Sequence, residues 1–283
     1  KTVNAISMLL SAHRDTDGPV ILVDPKEGNM VENYMKSHYG TFGDLRDVYV
    51  FSVPDVLPAV PFFDIRPYLY EGMDRDNAIQ QKVDEFHLIL QMVDENYDTA
   101  YVAKTVLGAL IKSQFDAEHG ADAFTLDDLY ATAVDMYSNQ RVPRVSHQPQ
   151  VRNILTNQLN NSESEFKNTM QAVINRLDDL QEDINLYHLF NQNPTWDNEE
   201  GVYVDNGVTL DQFGHDDPEK NPSKPPRNAL DFRKILDEDV VVLFDTGDFV
   251  RDQSQRAFSM YILSALWGRV RSRYKDNRSH ETI

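Results

Sequence analysis

Two acidic residues close short apolar runs at opposite ends of the chain, and they are the side chains best placed to do chemistry. Val20-Ile21-Leu22-Val23 lies between Gly18-Pro19 and Asp24-Pro25, and Val240-Val241-Val242-Leu243-Phe244 runs into Asp245-Thr246-Gly247. Short β-branched runs bounded by turn residues predict buried strands. Strands apolar on both faces belong to parallel sheets covered by helices, whose ligands sit beyond the carboxyl ends of the strands. Asp24 and Asp245 therefore head a candidate site, with Lys26 and Glu27 beside Asp24. A carboxylate there can hold a hydrated divalent cation or orient a water. Asp-Pro and Asp-Thr-Gly are also ordinary turn sequences, a structural role that competes with the chemical one.

The elements that must position these residues can be read along the chain. Residues 1–14 predict a helix, broken by Asp15-Thr16-Asp17-Gly18-Pro19. Met30, Val31, Tyr34 and Met35 recur at helical spacing over 30–38, and Val48-Tyr49-Val50-Phe51 predicts a further strand. Residues 52–73, with Pro54, Pro58, Pro61 and Pro67, are expected as extended loop. Residues 74–190 carry helical periodicity almost throughout, with Thr125 and Asp128 placed as a capping box, a linker bracketed by Pro143 and Pro149, and one long helix over 163–190. Residues 191–238 are rich in Pro, Gly and acids, and 239–283 return to a strand followed by a helix over 252–275. This divides the chain into 1–73, 74–190, 191–238 and 239–283.

Lys1-Thr2 opens the first helix, and Gly-Lys-Thr at a helix start is how a P-loop ends. Followed one helix later by the strand ending Asp24-Pro25-Lys26-Glu27-Gly28, this resembles the type IV coupling proteins and other conjugative DNA-transfer ATPases of the FtsK/HerA P-loop superfamily. Their strand ends Asp-Pro-Lys-Gly-Glu/Asp, so Glu27 and Gly28 are exchanged here. Phe62-Phe63-Asp64-Ile65-Arg66-Pro67 is similar to the segment closing the first lobe in that group. The resemblance implies an α/β fold, a RecA-like parallel-sheet P-loop core, incomplete in this chain, with an all-α domain inserted. It implies ATP and Mg²⁺ as cofactors of the intact parent, bound through Lys1, Thr2, Asp24, Lys26, Glu27 and Asp245, with Thr2 and Asp24 as the Mg²⁺ residues. It also implies self-association as a hexamer, DNA as a partner, and a cytoplasmic location at the inner face of the membrane. The P-loop glycines are expected before Lys1 and the Asp-Glu strand after Ile283, so this chain alone is expected to lack ATPase activity.

Other chemistry is weaker. His215-Asp216-Asp217 has no spaced partner ligands and reads as a solvated acidic loop. No Gly-x-Gly-x-x-Gly supports a dinucleotide fold. Phe258, Tyr261 and Trp267 read as core. Cysteine is absent, which excludes disulfides and thiolate metal sites, and no apolar run is long enough to span a membrane.

The 46 acidic and 27 basic residues give −19, with 32 Asp against 14 Glu and 16 Arg against 11 Lys. The excess is halophile-like, and an acidic helical module that receives a basic protein partner is the alternative reading. Residues 251–283 oppose it, with seven basic and three acidic residues. Arg269, Arg271 and Arg273 there suit either a helix C-terminus or contact with DNA phosphates or a neighbouring subunit. Self-repulsion at −19 is screened by salt, so the melting temperature should climb from dilute to molar salt. A melting temperature flat or falling with salt would remove the halophile argument.

Overall fold

The computed structural model describes residues 2–25, 29–52, 58, 61–94, 96–203, 231–249 and 251–275, without the side chains of 234 and 271–275. In chain order the elements are α1 (Thr2–Asp15), β1 (Val20–Asp24), α2 (Met30–Phe42), β2 (Val48–Ser52), β3 (Phe63–Asp64), α3 (Arg66–Tyr70) and α4 (Arg75–Val93). Then come α5 (Tyr101–Gln114), β4 (Ala123–Phe124), α6 (Leu126–Asn139), α7 (Pro149–Leu159), α8 (Glu163–Glu182) and α9 (Ile184–Phe190). The chain closes with β5 (Trp196–Asp197), β6 (Val202–Tyr203), α10 (Phe232–Asp237), β7 (Val241–Asp245) and α11 (Asp252–Lys275). The fold is α/β, with a small parallel three-stranded sheet and many helices. Among the described residues no helix is long and apolar enough to cross a membrane.

The chain forms two compact units. The first joins the described residues up to Pro58 with those from Asp231 onward. Its sheet has the order β1-β7-β2, all parallel, as the apolar runs predict. β7 is central and Val241, Val242, Leu243 and Phe244 are all buried, so both faces of the sheet are covered. On one face Val20, Leu22, Val48, Val50, Val241 and Leu243 pack with Ile6, Leu9 and Leu10 of α1 and with Val31, Tyr34 and Met35 of α2. On the other, Phe244 stacks on Phe51 at 5.3 Å and meets Phe258 of α11 edge-on at 5.9 Å. Tyr261 joins that core as expected, whereas Trp267 is 66% exposed and does not.

The second unit takes in the described residues from 61 to 203. It therefore starts well before residue 74, and the reason is a cluster of phenylalanines. The segment 52–73, expected as loop, contains β3 and α3. Phe63 pairs in register with Phe124 of β4 and stacks on it at 4.6 Å, while Phe62 meets Phe190 at 4.9 Å and Phe86 at 5.8 Å. Asp64 is buried and accepts from the Arg66 backbone N–H at 2.8 Å, from the Arg66 guanidinium and from the Tyr203 hydroxyl at 3.1 Å. Arg66 also donates to the Pro194 carbonyl at 2.9 Å. Phe62–Pro67 is thus the first staple of the helical unit rather than the close of a preceding lobe.

Helix boundaries follow their caps. Thr125 and Asp128 form the expected capping box, and Ser162 and Glu165 form another. The single helix expected over 163–190 is two, α8 and α9, because the Asp183 side chain accepts the N–H groups of Asn185 and Leu186 and starts a new helix. At Gly108 an added Cβ would lie 3.1 Å from His87 Nε2, so α4 and α5 approach closely there. His87 hydrogen-bonds through Nδ1 to the Tyr97 hydroxyl. Burial, helped by the Lys104 charge, pushes the His87 pKa down to about 4. The unfolded chain takes up that proton near pH 6.5. Between those values the unfolded state binds more protons, so stability is full above about pH 6.5 and declines towards about pH 4. The melting-temperature gap between wild type and His87→Gln should therefore narrow from about pH 7 to about pH 4.5. An unchanging gap would show that His87 titrates alike in both states.

Candidate functional site

β1 and β7 pair residue for residue from Val20↔Val241 to Asp24↔Asp245, and β2 closes the other side with Ser52↔Asp245. The two acids picked out by sequence thus end neighbouring parallel strands at one edge. Side chains alternate along a strand. Asp24, Ser52 and Asp245 share parity with Val20, Leu22, Val241 and Leu243, which places them on the face covered by α1 and α2.

The backbone around this edge is tied down. Thr246, buried, donates from its N–H at 2.9 Å and from its hydroxyl at 3.0 Å to the Asp24 carbonyl. Gln255 of α11 donates through Nε2 to the Pro25 carbonyl at 2.7 Å and to the Thr246 carbonyl. The turns after β1 and β7 are therefore held by one amide side chain. Sequence pointed at Thr246 only as part of a turn, and it gave no signal for Ser52 or Gln255.

α1 runs antiparallel to β1, because only residues 16–19 separate its last residue from the strand's first. Its 14 residues span about 21 Å and the five of β1 about 17 Å, so Thr2 returns to the level of Asp24. Thr2 is exposed, and the first turn of α1 carries no acidic residue. The first-turn N–H groups of a helix have no partner within it.

Two carboxylates adjoin at this edge. Asp24 is 5% exposed. Burial raises the Asp245 pKa above the ordinary aspartate range, and the Asp24 and Asp248 carboxylates add to the rise against a hydrogen bond from the Gly247 N–H. A hydrated Mg²⁺ needs only one or two carboxylates and keeps several waters. Asp24 and Asp245 are the two carboxylates that could serve, and among the described residues no group of three or more His, Asp or Glu forms a cation site.

Of the remaining candidates, Lys1, Lys26, Glu27 and the loop His215-Asp216-Asp217 lie outside the described residues, as do the side chains of Arg271 and Arg273. Arg269 is half-buried on α11. No family model, no curated protein and no solved structure matches this chain.

A carboxylate with a raised folded pKa is destabilised when ionised, so its cost is present above that pKa and vanishes below the unfolded value. Asp245→Asn keeps the Oδ1 acceptor for Gly247 and removes the charge. It should raise the melting temperature slightly at neutral pH, with the gain fading in acid. A lowered melting temperature at neutral pH would mean that the Asp245 charge is satisfied in the apo protein.

Proposed function

We propose that the unit built on β1, β7 and β2 is part of the RecA-like core of a nucleotide-dependent DNA-translocating ATPase of the coupling-protein kind. In this reading the intervening unit is an inserted domain that is mainly helical, and not all-α as expected, since it also holds the short strand pairs β3–β4 and β5–β6. One observation carries it: Asp24 and Asp245 stand in register at the carboxyl edge of a parallel sheet, on the face that α1 covers. Amides at a helix start attract phosphate, and adjoining carboxylates hold the accompanying cation.

The residues take separate roles in this reading. Lys1 neutralises phosphate charge. Thr2 and Asp24 hold Mg²⁺, and Asp245 accepts from its waters. Lys26 and Glu27 flank the nucleotide. Mg²⁺ supplies neutralisation of the charge that develops on the phosphates. Thr246 and Gln255 fix the two turns so that both acids keep their places without rearrangement. DNA is the translocated polymer and Arg269, Arg271 and Arg273 its contacts, or those of a neighbouring subunit in a hexameric ring. A second reading, an acidic module for a basic protein partner, is favoured by the helical unit's 25 acidic against 10 basic residues between 59 and 209.

Titrated calorimetrically with ATP in molar salt, the full-length protein should bind only with Mg²⁺ present and lose binding on Lys1→Ala. A folded protein that ignores ATP would replace this reading with the interaction module, and ATP binding unchanged by Lys1→Ala would place the site away from Lys1.

A further inference from the structure

The helical unit is strongly acidic, so an arginine there without a carboxylate partner needs a reason. Arg14, Arg46, Arg66, Arg75, Arg176 and Arg233 each pair with an aspartate. Arg141 and Arg144 pair with no carboxylate among the described residues. They fall in the stretch 136–162, which contains no Asp or Glu and carries three arginines. Both line a cleft of about 470 Å³ between α6 and the turn after α5, together with His119, Gln114, Thr132 and Asp135. That volume is in the range of small-molecule sites.

The arginine-bearing loop is pinned rather than loose. Val145 between the arginine pair and α7 is buried. The Asp116 carboxylate, itself buried, accepts from the N–H groups of Glu118 and His119 at 3.2 and 3.1 Å on one side. On the other it accepts from those of Ser146 and His147 at 3.0 and 3.1 Å. His119 Nε2 hydrogen-bonds to the Ser146 hydroxyl at 2.8 Å. Gly120, in the cleft wall, leaves no room for a side chain, since an added Cβ would lie 2.1 Å from the Gln114 carbonyl oxygen. Gln140 enters the loop at φ 51°. Two turns are therefore locked together, and Arg141 and Arg144 are among the residues lining the cleft beside them.

Guanidiniums recognise phosphate through paired N–H donors. Asp135, which accepts from the Asn139 amide at 2.7 Å, also faces the cleft and can only accept further hydrogen bonds when ionised. It therefore opposes a second anion and suits a hydroxyl. We propose that this cleft binds a small phosphate ester bearing hydroxyl groups, with its phosphate between Arg141 and Arg144 and a hydroxyl donating to Asp135. Nothing in this depends on the nucleotide reading of the other unit. Nucleic acid is disfavoured, because the 25 acidic against 10 basic residues between 59 and 209 would repel a long polyanion.

The test uses the full chain at moderate salt, with ribose 5-phosphate, ribose and inorganic phosphate as probes. Calorimetry reads affinity, and the His119 ring-proton resonance reads location. Ribose 5-phosphate should bind and move that resonance, inorganic phosphate should bind more weakly, and ribose should not bind. Arg141→Gln with Arg144→Gln should weaken ribose 5-phosphate by about tenfold or more, with an unchanged melting temperature. Asp135→Asn should weaken ribose 5-phosphate but not inorganic phosphate. Because both arginines are exposed, the double variant should fold, and its melting curve checks this. Ribose binding as well as its phosphate, or binding indifferent to the arginines, would overturn the proposal. So would a single-stranded oligonucleotide that binds through these arginines when the sugar phosphate does not.

Discussion

The sheet depends on β7. It is the central strand, it comes from the far end of the chain, and without it β1 and β2 have no partner among the described strands. Its pairing must form across the whole helical insertion. Closing a longer loop adds little entropy cost once a loop is long, about 0.6 kcal/mol for each doubling. The insertion also has its own cluster of phenylalanines, with Phe62, Phe63, Phe86 and Phe190 buried together. The return of β7 is then secured by a strand buried on both faces and by the two bonds from Thr246 to the Asp24 carbonyl.

That same pairing creates the electrostatic problem at the edge. Register fixes Asp24 opposite Asp245, with Asp24 buried and Asp245 half-buried. The Asp245 pKa is raised chiefly by burial, and the Asp24 carboxylate adds a smaller rise. The proposal of a nucleotide site at this edge rests on the two adjoining carboxylates, the helix start of α1 and the resemblance of Asp24-Pro25-Lys26 to a coupling-protein strand.

Much of the sheet was legible because its signals are local. Val20–Val23, Val48–Phe51 and Val240–Phe244 announce themselves as buried strands by composition, and parallel pairing follows from apolarity on both faces. Their order does not, since nothing in a local window says which distant strand fits between two others. The helical unit misled the reading in two places for opposite reasons. Prolines at 54, 58, 61 and 67 suggested loop, but Phe62, Phe63 and Ile65 between them are fully buried and nucleate the unit's core. Over 163–190 the apolar stripe continues unbroken, because α8 and α9 turn the same kind of face inward, and only Asp183 as a cap marks the break. Asp24 and Asp245 were legible as strand ends. Gln255 was not, because a lone glutamine in a helix carries no signal until the turns it bridges are adjacent.

The claim that this edge is a cation–nucleotide site is tested most directly by paramagnetic relaxation. Mn²⁺ with ATP, added to the isotope-labelled chain in molar salt, detects even weak and transient occupancy. The account predicts selective broadening of the backbone amides of Ser52, Thr246 and Gly247, together with those of the first turn of α1, and its loss in Asp24→Asn with Asp245→Asn. Broadening centred elsewhere, or none at these amides at saturating Mn²⁺ and ATP, would contradict it.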